Sequence, residues 1–284
     1  MDVRVQAEKA EQFRKLHCGP HLLVLPNAWD VASARILEEL GYPAIATTSA
    51  GIAFSLGYPD GQRVSREQMV EVVARIARAV RVPVTADMEA GYGTTAKDMS
   101  ETAKALIAAG AIGMNLEDVT GEDESSHVNM TLQVEKIRAI RETALSLGVP
   151  IVLNARTDIY LMPIGPAETR FDRTVERLRA YRQAGADCLF APGLRDGETI
   201  RKLVAALDGP LNILLMPGGP SLKELEKMGV ARASAGSAVM RATLRLVQRI
   251  GKELMQAGSC DFLFDGIIPH AELNRLLSCA AVAH

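Results

Sequence analysis

The sequence predicts a (β/α)8 barrel, and three observations carry that expectation. Eight short apolar runs alternate with longer segments of helical period, and eight strand–helix units are the number that closes such a barrel. Gly41, Gly110, Gly148, Gly185 and Gly229 each follow a helical segment, where a left-handed helix end favours glycine. The chain is 48% hydrophobic but only 4% aromatic, so its core is aliphatic, as in a parallel sheet covered by Ala-rich helices. An open, doubly wound sheet is the rival arrangement of the same alternation.

The expected strands are Leu22–Leu25, Ala44–Thr48, Val82–Asp87, Ile112–Glu117, Ile151–Arg156, Cys188–Ala191, Leu211–Leu215 and Ala231–Ala235. The first helix is expected over Ala28–Leu40, where Trp29, Ala32, Ile36 and Leu40 recur at spacings of three and four. Ser65–Ala79 opens with Ser65 and, three residues on, Gln68, a capping-box pattern. Lys97–Ala109, Thr131–Leu147, Ala167–Ala184, Glu198–Leu207, Ser221–Met228 and Ala238–Met255 complete the set. No linker or composition break divides the 284 residues, so residues 1–284 read as one barrel domain. The tail "CDFLFDGIIPHAELNRLLSC" adds an apolar helix that a barrel does not need, and it is expected to dock on a second subunit.

Bulk properties exclude several classes. A formal net charge of −2 gives no nucleic-acid footprint. No apolar run approaches the ~18 residues of a membrane span, so no membrane partner is expected. The N-terminus "MDVRVQAEKAEQFRKLH" is charged throughout and has no apolar signal core. Cys18, Cys188, Cys260 and Cys279 form no C-x-x-C pair. They read as buried small hydrophobes in a reducing, cytoplasmic compartment.

A barrel carries its chemistry at the C-terminal ends of its strands. Those ends are rich in carboxylates: Asp60 in "LGYPDG", Asp87 and Glu89 in "VTADMEAGYG", Glu117 and Asp118 in "GMNLED". "NARTD" adds Asn154, Arg156 and Asp158. Asp87 and Glu89, two apart, project the same way along a strand, and paired acids raise each other's pKa unless something neutralises them. A hard divalent cation does so. Mg²⁺ takes few protein carboxylates and keeps several waters, so Asp87, Asp60, Glu89 and Glu117 are the candidate metal residues. The positions left open suit the adjacent oxygens of a 2-oxo acid, whose enolate the metal and Arg156 would stabilise. Ser49, Ala50 and Gly51 form a turn with N–H groups and a hydroxyl for a carboxylate; with Asn154 and Arg156 they are the candidate substrate-binding residues. Arg156 and Glu117 are candidate catalytic residues. His127, in "GEDESSHVN", is the candidate for proton transfer alongside Tyr92, although a solvated surface histidine is its plain reading. Asp118 and Asp158 read as helix caps. "MPGGPS" and "SAGSA" near the last two strands raise a phosphate site between Gly218 and Gly236.

"LPNAWDVASARILEELGYPAIATTSAGIAFSLGYPDG", "VTADMEAGYG", "GMNLED" and "NARTD", in this order and spacing, resemble the isocitrate lyase/phosphoenolpyruvate mutase superfamily over at least Val24–Ala191. The resemblance implies a (β/α)8 barrel whose last helix is exchanged between subunits in a dimer of dimers. It also implies Mg²⁺ and an enolate formed from a 2-oxo acid. It makes Asp87 the metal-binding acid, with Asp60, Glu89 and Glu117 around the metal's waters. Arg156 becomes the substrate arginine, and Ser49–Gly51 the carboxylate-binding turn.

The departures are informative. Isocitrate and methylisocitrate lyases carry a Lys-Lys/Arg-Cys-Gly-His run after the fourth strand, and the phosphonate enzymes carry a lysine there. Here the loop reads "LEDVTGEDESSHVNM", with neither cysteine nor lysine. Glu89 also replaces the aspartate usual in the lyases. The expected function is Mg²⁺-dependent C–C bond chemistry on a small 2-oxo or 2-hydroxy acid, by retro-aldol cleavage or oxaloacetate-type decarboxylation. The alternatives are P–C bond chemistry on phosphonopyruvate and a sensor that binds a 2-oxo acid without turning it over. The expected assembly is a homo-oligomer, a dimer or a dimer of dimers.

Overall fold

Pro26 has no N–H to give to a strand ladder, and it divides the first barrel strand in two. In the computed structural model, which describes residues 2–121, 127–257, 261–264 and 266–278, β1 spans Leu23–Leu25 and β2 Asn27–Ala28. The strands that follow are β3 (Ile45–Thr47), β4 (Val84–Asp87), β5 (Gly113–Leu116), β6 (Val152–Arg156), β7 (Cys188–Phe190), β8 (Leu211–Leu214) and β9 (Arg232–Ser234). All neighbours pair in parallel, in the order β1-β9-β8-β7-β6-β5-β4-β3-β2. The two ends of that order are consecutive in the chain, so the sheet closes on itself as an eight-stranded (β/α)8 barrel, the expected fold. The doubly wound alternative is excluded.

Helices α2 (Val31–Glu39), α4 (Arg66–Ala79), α5 (Ala96–Ala108), α6 (Met130–Ser146), α7 (Arg170–Gln183), α8 (Gly197–Ala206), α9 (Leu222–Lys227) and α10 (Ala238–Ala257) follow the strands in turn. The Ser65–Gln68 capping box is formed. Ala28 belongs to β2 rather than to the first helix, because Asp30 accepts from the N–H of Ser33 and caps α2 there. Three further helices add to the eight: α1 (Val3–Leu16), α3 (Ser49–Ser55) and α11 (His270–Ser278). The charged N-terminus is thus α1, whose apolar side closes the N-terminal end of the barrel. Ala10 and Phe13 pack with Leu23, Leu25, Ala46 and Ile112. Gly113 leaves room for this contact, since a Cβ there would lie 2.6 Å from Thr85 Oγ1 and 3.1 Å from Phe13 Cε1.

Among the described residues of the tail, α11 lies against this chain's own α2, with Leu276 buried and its carbonyl accepting from Arg35 Nε at 3.2 Å. Exposed apolar side chains remain in the tail at Phe264, Ile267 and Ile268, and α10 adds Leu244, Leu246, Val247, Leu254 and Met255. No helix is long and apolar enough to cross a membrane.

Candidate active site

Strand register decides which side chains meet at the C-terminal end of the barrel. Asp87 pairs with Asn115, Asn115 with Asn154, and Arg156 with Phe190. Asn154 and Arg156, two apart, therefore face the interior together, Arg156 one step nearer the rim. A cavity of about 1300 Å³ opens at this end, and Ser49, Asp60, Asp87, Glu89, Glu117 and Arg156 line it.

Asp87 ends β4. Its Oδ2 accepts from Ser49 Oγ at 2.9 Å and from Ser49 N–H at 3.3 Å, while Thr47 Oγ1 accepts the Asp87 N–H. Its Oδ1 is buried and has no hydrogen-bond partner. Glu89 is buried and held on both oxygens: Tyr92 OH donates to Oε1 at 3.0 Å, and Gln62 N–H donates to Oε2. Gln62 in turn accepts the Tyr92 N–H at 2.9 Å. Gln62, Glu89 and Tyr92 all have positive φ, of 56°, 50° and 58°, so the clasp between the two loops is built on left-handed backbone that such residues seldom adopt. Burial, then the charge of Asp87, push the Glu89 carboxyl up to about 7. The same two causes raise Asp60. Burial lifts Glu117 well above the usual range, against the pull of Arg156.

These observations fit Mg²⁺. An unpartnered, buried carboxylate oxygen beside acids that raise one another's pKa is a place for a cation. Among the described residues no group of three or more His, Cys, Asp or Glu side chains is disposed to hold a metal ion, so a cation here would rest on Asp87 and water.

Arg156 ends β6 and is fixed on two sides. Its Nε and Nη2 donate to Asp158 at 2.7–3.1 Å, and its Nη1 donates to Glu117 Oε1 at 3.0 Å. Burial works against its charge, but Asp158 and Glu117 win and hold its pKa above the ordinary value. The guanidinium carbon lies 5.7 Å from the centre of the Phe190 ring.

Asp118 and Asp158 do not cap helices; Asn129 caps α6, and no side chain caps α7. They form the scaffold of Arg156. The Asp158 N–H donates to Asp118 Oδ1 at 3.0 Å, and Asp118 Oδ2 receives Tyr181 OH, Arg177 Nη1 and His127 Nε2 at 2.7–3.1 Å. Burial acts to raise the Asp118 pKa, but the hydrogen bonds from His127 and Tyr181 and the Arg177 charge hold it low.

The remaining sequence candidates fall as follows. His127 is neither a solvated residue nor on the cavity lining: its side chain is 6% exposed, spent on Asp118, and its backbone bridges Val119. Ser49–Gly51 is the first turn of α3 rather than a loop turn; Ser49 and Ala50 line the cavity, while the Gly51 N–H donates to Thr48 Oγ1. Asn154 lies beneath the lining, donating to Asn115 Oδ1 at 2.8 Å. On the Gly236 side of the expected phosphate site, the Ala235 and Gly236 N–H groups are both taken by Asn27 Oδ1. Glu122–Ser126, Cys260 and Cys279 lie outside the described residues. Cys188 is buried, its thiol pushed up to about 12 by burial, whereas Cys18 is exposed. Sequence reasoning missed Asn27, Gln62, Asn115 and Phe190. Register was the signal available for Asn115 and Phe190, which share levels with Asp87 and Arg156.

The family model for phosphoenolpyruvate phosphomutase matches residues 13–255. A Burkholderia cenocepacia crystal structure provisionally described as a lyase/mutase is 38% identical, covers 96% of both chains and superposes with a TM-score of 0.88. Oxaloacetate decarboxylase from Chromohalobacter salexigens is 30% identical over 84% of this chain and 83% of its own. 2-Methylisocitrate lyase from Bacillus subtilis is 27% identical over 89% and 84%. A match over most of the barrel, together with these relatives, means that the chain belongs to the phosphoenolpyruvate phosphomutase family, within the isocitrate lyase/phosphoenolpyruvate mutase superfamily.

Proposed function

We propose that this protein is an Mg²⁺-dependent enzyme that breaks a C–C bond of a small 2-oxo or 2-hydroxy acid through an enolate. Decarboxylation of an oxaloacetate-type acid is the reaction its residues suit best. The observation that carries this reading is the pairing of two features on one cavity: the unpartnered Oδ1 of Asp87, and Arg156 held charged by Glu117 and Asp158. Mg²⁺ bound at Asp87, with Asp60, Glu89 and Glu117 around it, would supply a Lewis acid beside the substrate oxygens.

The chain's own residues do the rest. Three of the five Arg156 N–H bonds go to Asp158 and Glu117, which leaves two for a substrate oxygen. When the C3–C4 bond breaks, its electron pair moves into the C2–C3 bond and charge collects on the C2 oxygen. Arg156 stabilises that charge without moving, because its carboxylate partners already fix it. Carbon dioxide leaves, and C3 takes a proton from water. The loop after β5 has neither the lyase cysteine nor the mutase lysine, and this route needs neither. The decarboxylase and lyase relatives support C–C chemistry.

We also propose a homo-oligomer in which the bare face of α10 packs on a second copy. The unpaired Cys18 and Cys188 support a reducing, cytoplasmic compartment.

The test is turnover of a panel of 2-oxo and 2-hydroxy acids with Mg²⁺, followed by NMR. Carbon dioxide with a shortened 2-oxo acid is the expected product. Phosphate release from phosphonopyruvate would favour P–C chemistry, for which the family's name speaks. Binding without turnover across the panel would make the protein a sensor.

A further inference from the structure

Beneath the cavity lies an arginine without an acid. Arg232 opens β9, and its side chain is fully buried inside the barrel. Its Nε and Nη1 have no hydrogen-bond partner among the described residues, and its Nη2 donates to Asn115 Oδ1 at 3.4 Å. Burial lowers its pKa, opposed by Cys188 and Asp87. A well-packed apolar side chain would fill such a place at lower cost than a buried charge.

The bond to Arg232 fixes the direction of Asn115. A guanidinium only donates, so the carboxamide atom of Asn115 that faces it is the oxygen. The same Oδ1 accepts from Asn154 Nδ2 at 2.8 Å. With both donors on its oxygen, Asn115 turns its Nδ2 the other way, toward the cavity that it lines. Among the described residues no group accepts from that Nδ2.

Asn115 stands level with Asp87 and one step below Glu117, which holds Arg156 Nη1. A substrate oxygen held between Asp87 and Arg156 therefore lies above the Asn115 N–H groups. Charge on that oxygen grows as an enolate forms, and a donor already aimed at it is worth most in that state. A carboxamide whose oxygen accepts from a cation is also a stronger donor at its nitrogen.

Resting on the reading under Proposed function, we propose that Asn115 is a second donor to the enolate oxygen, beside Arg156, and that Arg232 is the positioning residue that aims it from within the barrel. Asn154 works from the same side as Arg232, through Asn115 rather than on the substrate.

The experiment is calorimetric titration of the full chain with Mg²⁺ present. Oxalate serves as the charged, planar mimic of the enolate, and pyruvate as the 2-oxo acid itself. Asn115→Ala should weaken oxalate about tenfold or more, the effect of one hydrogen bond to a charged group, and pyruvate about threefold or less. Asn115→Asp keeps an oxygen for Arg232 but puts an acceptor where the donor was. It should match or exceed Asn115→Ala in urea midpoint and still lose oxalate. Arg232→Met, with the milder Arg232→Gln beside it in case the first does not fold, removes the group that orients Asn115. In that background the cost of Asn115→Ala on oxalate should shrink to about threefold or less, a coupling that a double-mutant cycle reads. Arg232→Lys, which still donates, should restore most of it. Parental oxalate affinity in both Asn115 variants would overturn the role of Asn115 and leave the proposed function standing. An undiminished cost of Asn115→Ala in the Arg232 variants that fold would overturn the positioning role of Arg232. Failure of the parent protein to bind oxalate at all would overturn the proposed function, and this inference with it.

Discussion

Asp158 grips Arg156 through three hydrogen bonds of 2.7–3.1 Å, although the two residues are only two positions apart. The chain turns just after β6, and Asp118 fixes that turn by accepting the Asp158 N–H. The guanidinium is therefore aimed before any substrate arrives, and aim is what an electrostatic catalyst must supply. Asp158→Ala should leave Arg156 with Glu117 as its carboxylate partner. We expect a loss of about 3 kcal/mol in stability, the scale for breaking a buried pair, and a fall of about 10² in kcat. Urea unfolding and turnover measure the two separately. An Asp158→Ala protein with parental kcat would show that Arg156 needs no such support.

Glu89 gives a dependence on pH whose sign is fixed. Glu89 stands at about 7 in the folded protein against 4.5 in a free chain, raised by burial and by Asp87. The folded state thus holds this proton more tightly than the unfolded state. Glu89 then lowers stability as pH rises from about 4.5 to about 7, by up to ~3 kcal/mol. A cation beside Asp87 favours the ionised form, so Mg²⁺ binding near pH 6.5 should release protons. Titrations in two buffers of different ionisation enthalpy read that release, and Glu89→Gln should abolish most of it. Asp87→Ala should abolish Mg²⁺ binding and activity while keeping the fold, since it removes one acid from a repulsive cluster. Unchanged Mg²⁺ affinity in Asp87→Ala would eliminate the proposed site.

The barrel was legible because its strands are short aliphatic runs and its helices carry their caps in the sequence, as at Ser65 and Gln68. The acids at the strand ends were legible for the same reason: strand boundaries are local. What stayed hidden depends on contacts between distant segments. Nothing near His127 in the sequence announces Asp118, Arg177 and Tyr181 as its surroundings, two of them about fifty residues away. The meeting of Phe190 with Arg156 required the register that pairs them. α1 was missed because its alternating charge hides a narrow buried face of Gln6, Ala10 and Phe13.

Assembly should depend on α10 rather than on the tail beyond it. Met240, Leu244, Val247 and Leu254 recur at three-, four- and seven-residue spacing, and the last three are 45%, 64% and 45% exposed. Such a stripe on a 20-residue helix is a packing surface left open. Val247→Glu should dissociate or weaken the oligomer, whereas deletion after Ser259 should act mainly through the loss of α11 from α2. Light scattering distinguishes the two. An oligomer indifferent to Val247→Glu would move the interface elsewhere.

The last prediction separates the reactions open to this family's fold. Retro-aldol cleavage of isocitrate needs a proton for the departing carbanion, and the loop after β5 has no cysteine to give it. His127 is the imidazole there, but its side chain is 6% exposed and its Nε2 is spent on Asp118 at 3.1 Å. Decarboxylation makes a smaller demand, since water can protonate the enolate. Negligible isocitrate cleavage is therefore expected, beside measurable decarboxylation of an oxaloacetate-type acid. His127→Ala should cost stability, about 1–3 kcal/mol for a lost partner of a buried charge, while changing kcat for decarboxylation little. Arg156→Ala should do the opposite in weight, lowering kcat by ~10²–10³ because the developing oxyanion loses its fixed cation. Paired measurements of kcat and urea midpoint on the two variants test this directly. A kcat that collapses in His127→Ala with the urea midpoint unmoved would make that histidine a participant in the chemistry and would return retro-aldol cleavage to first place.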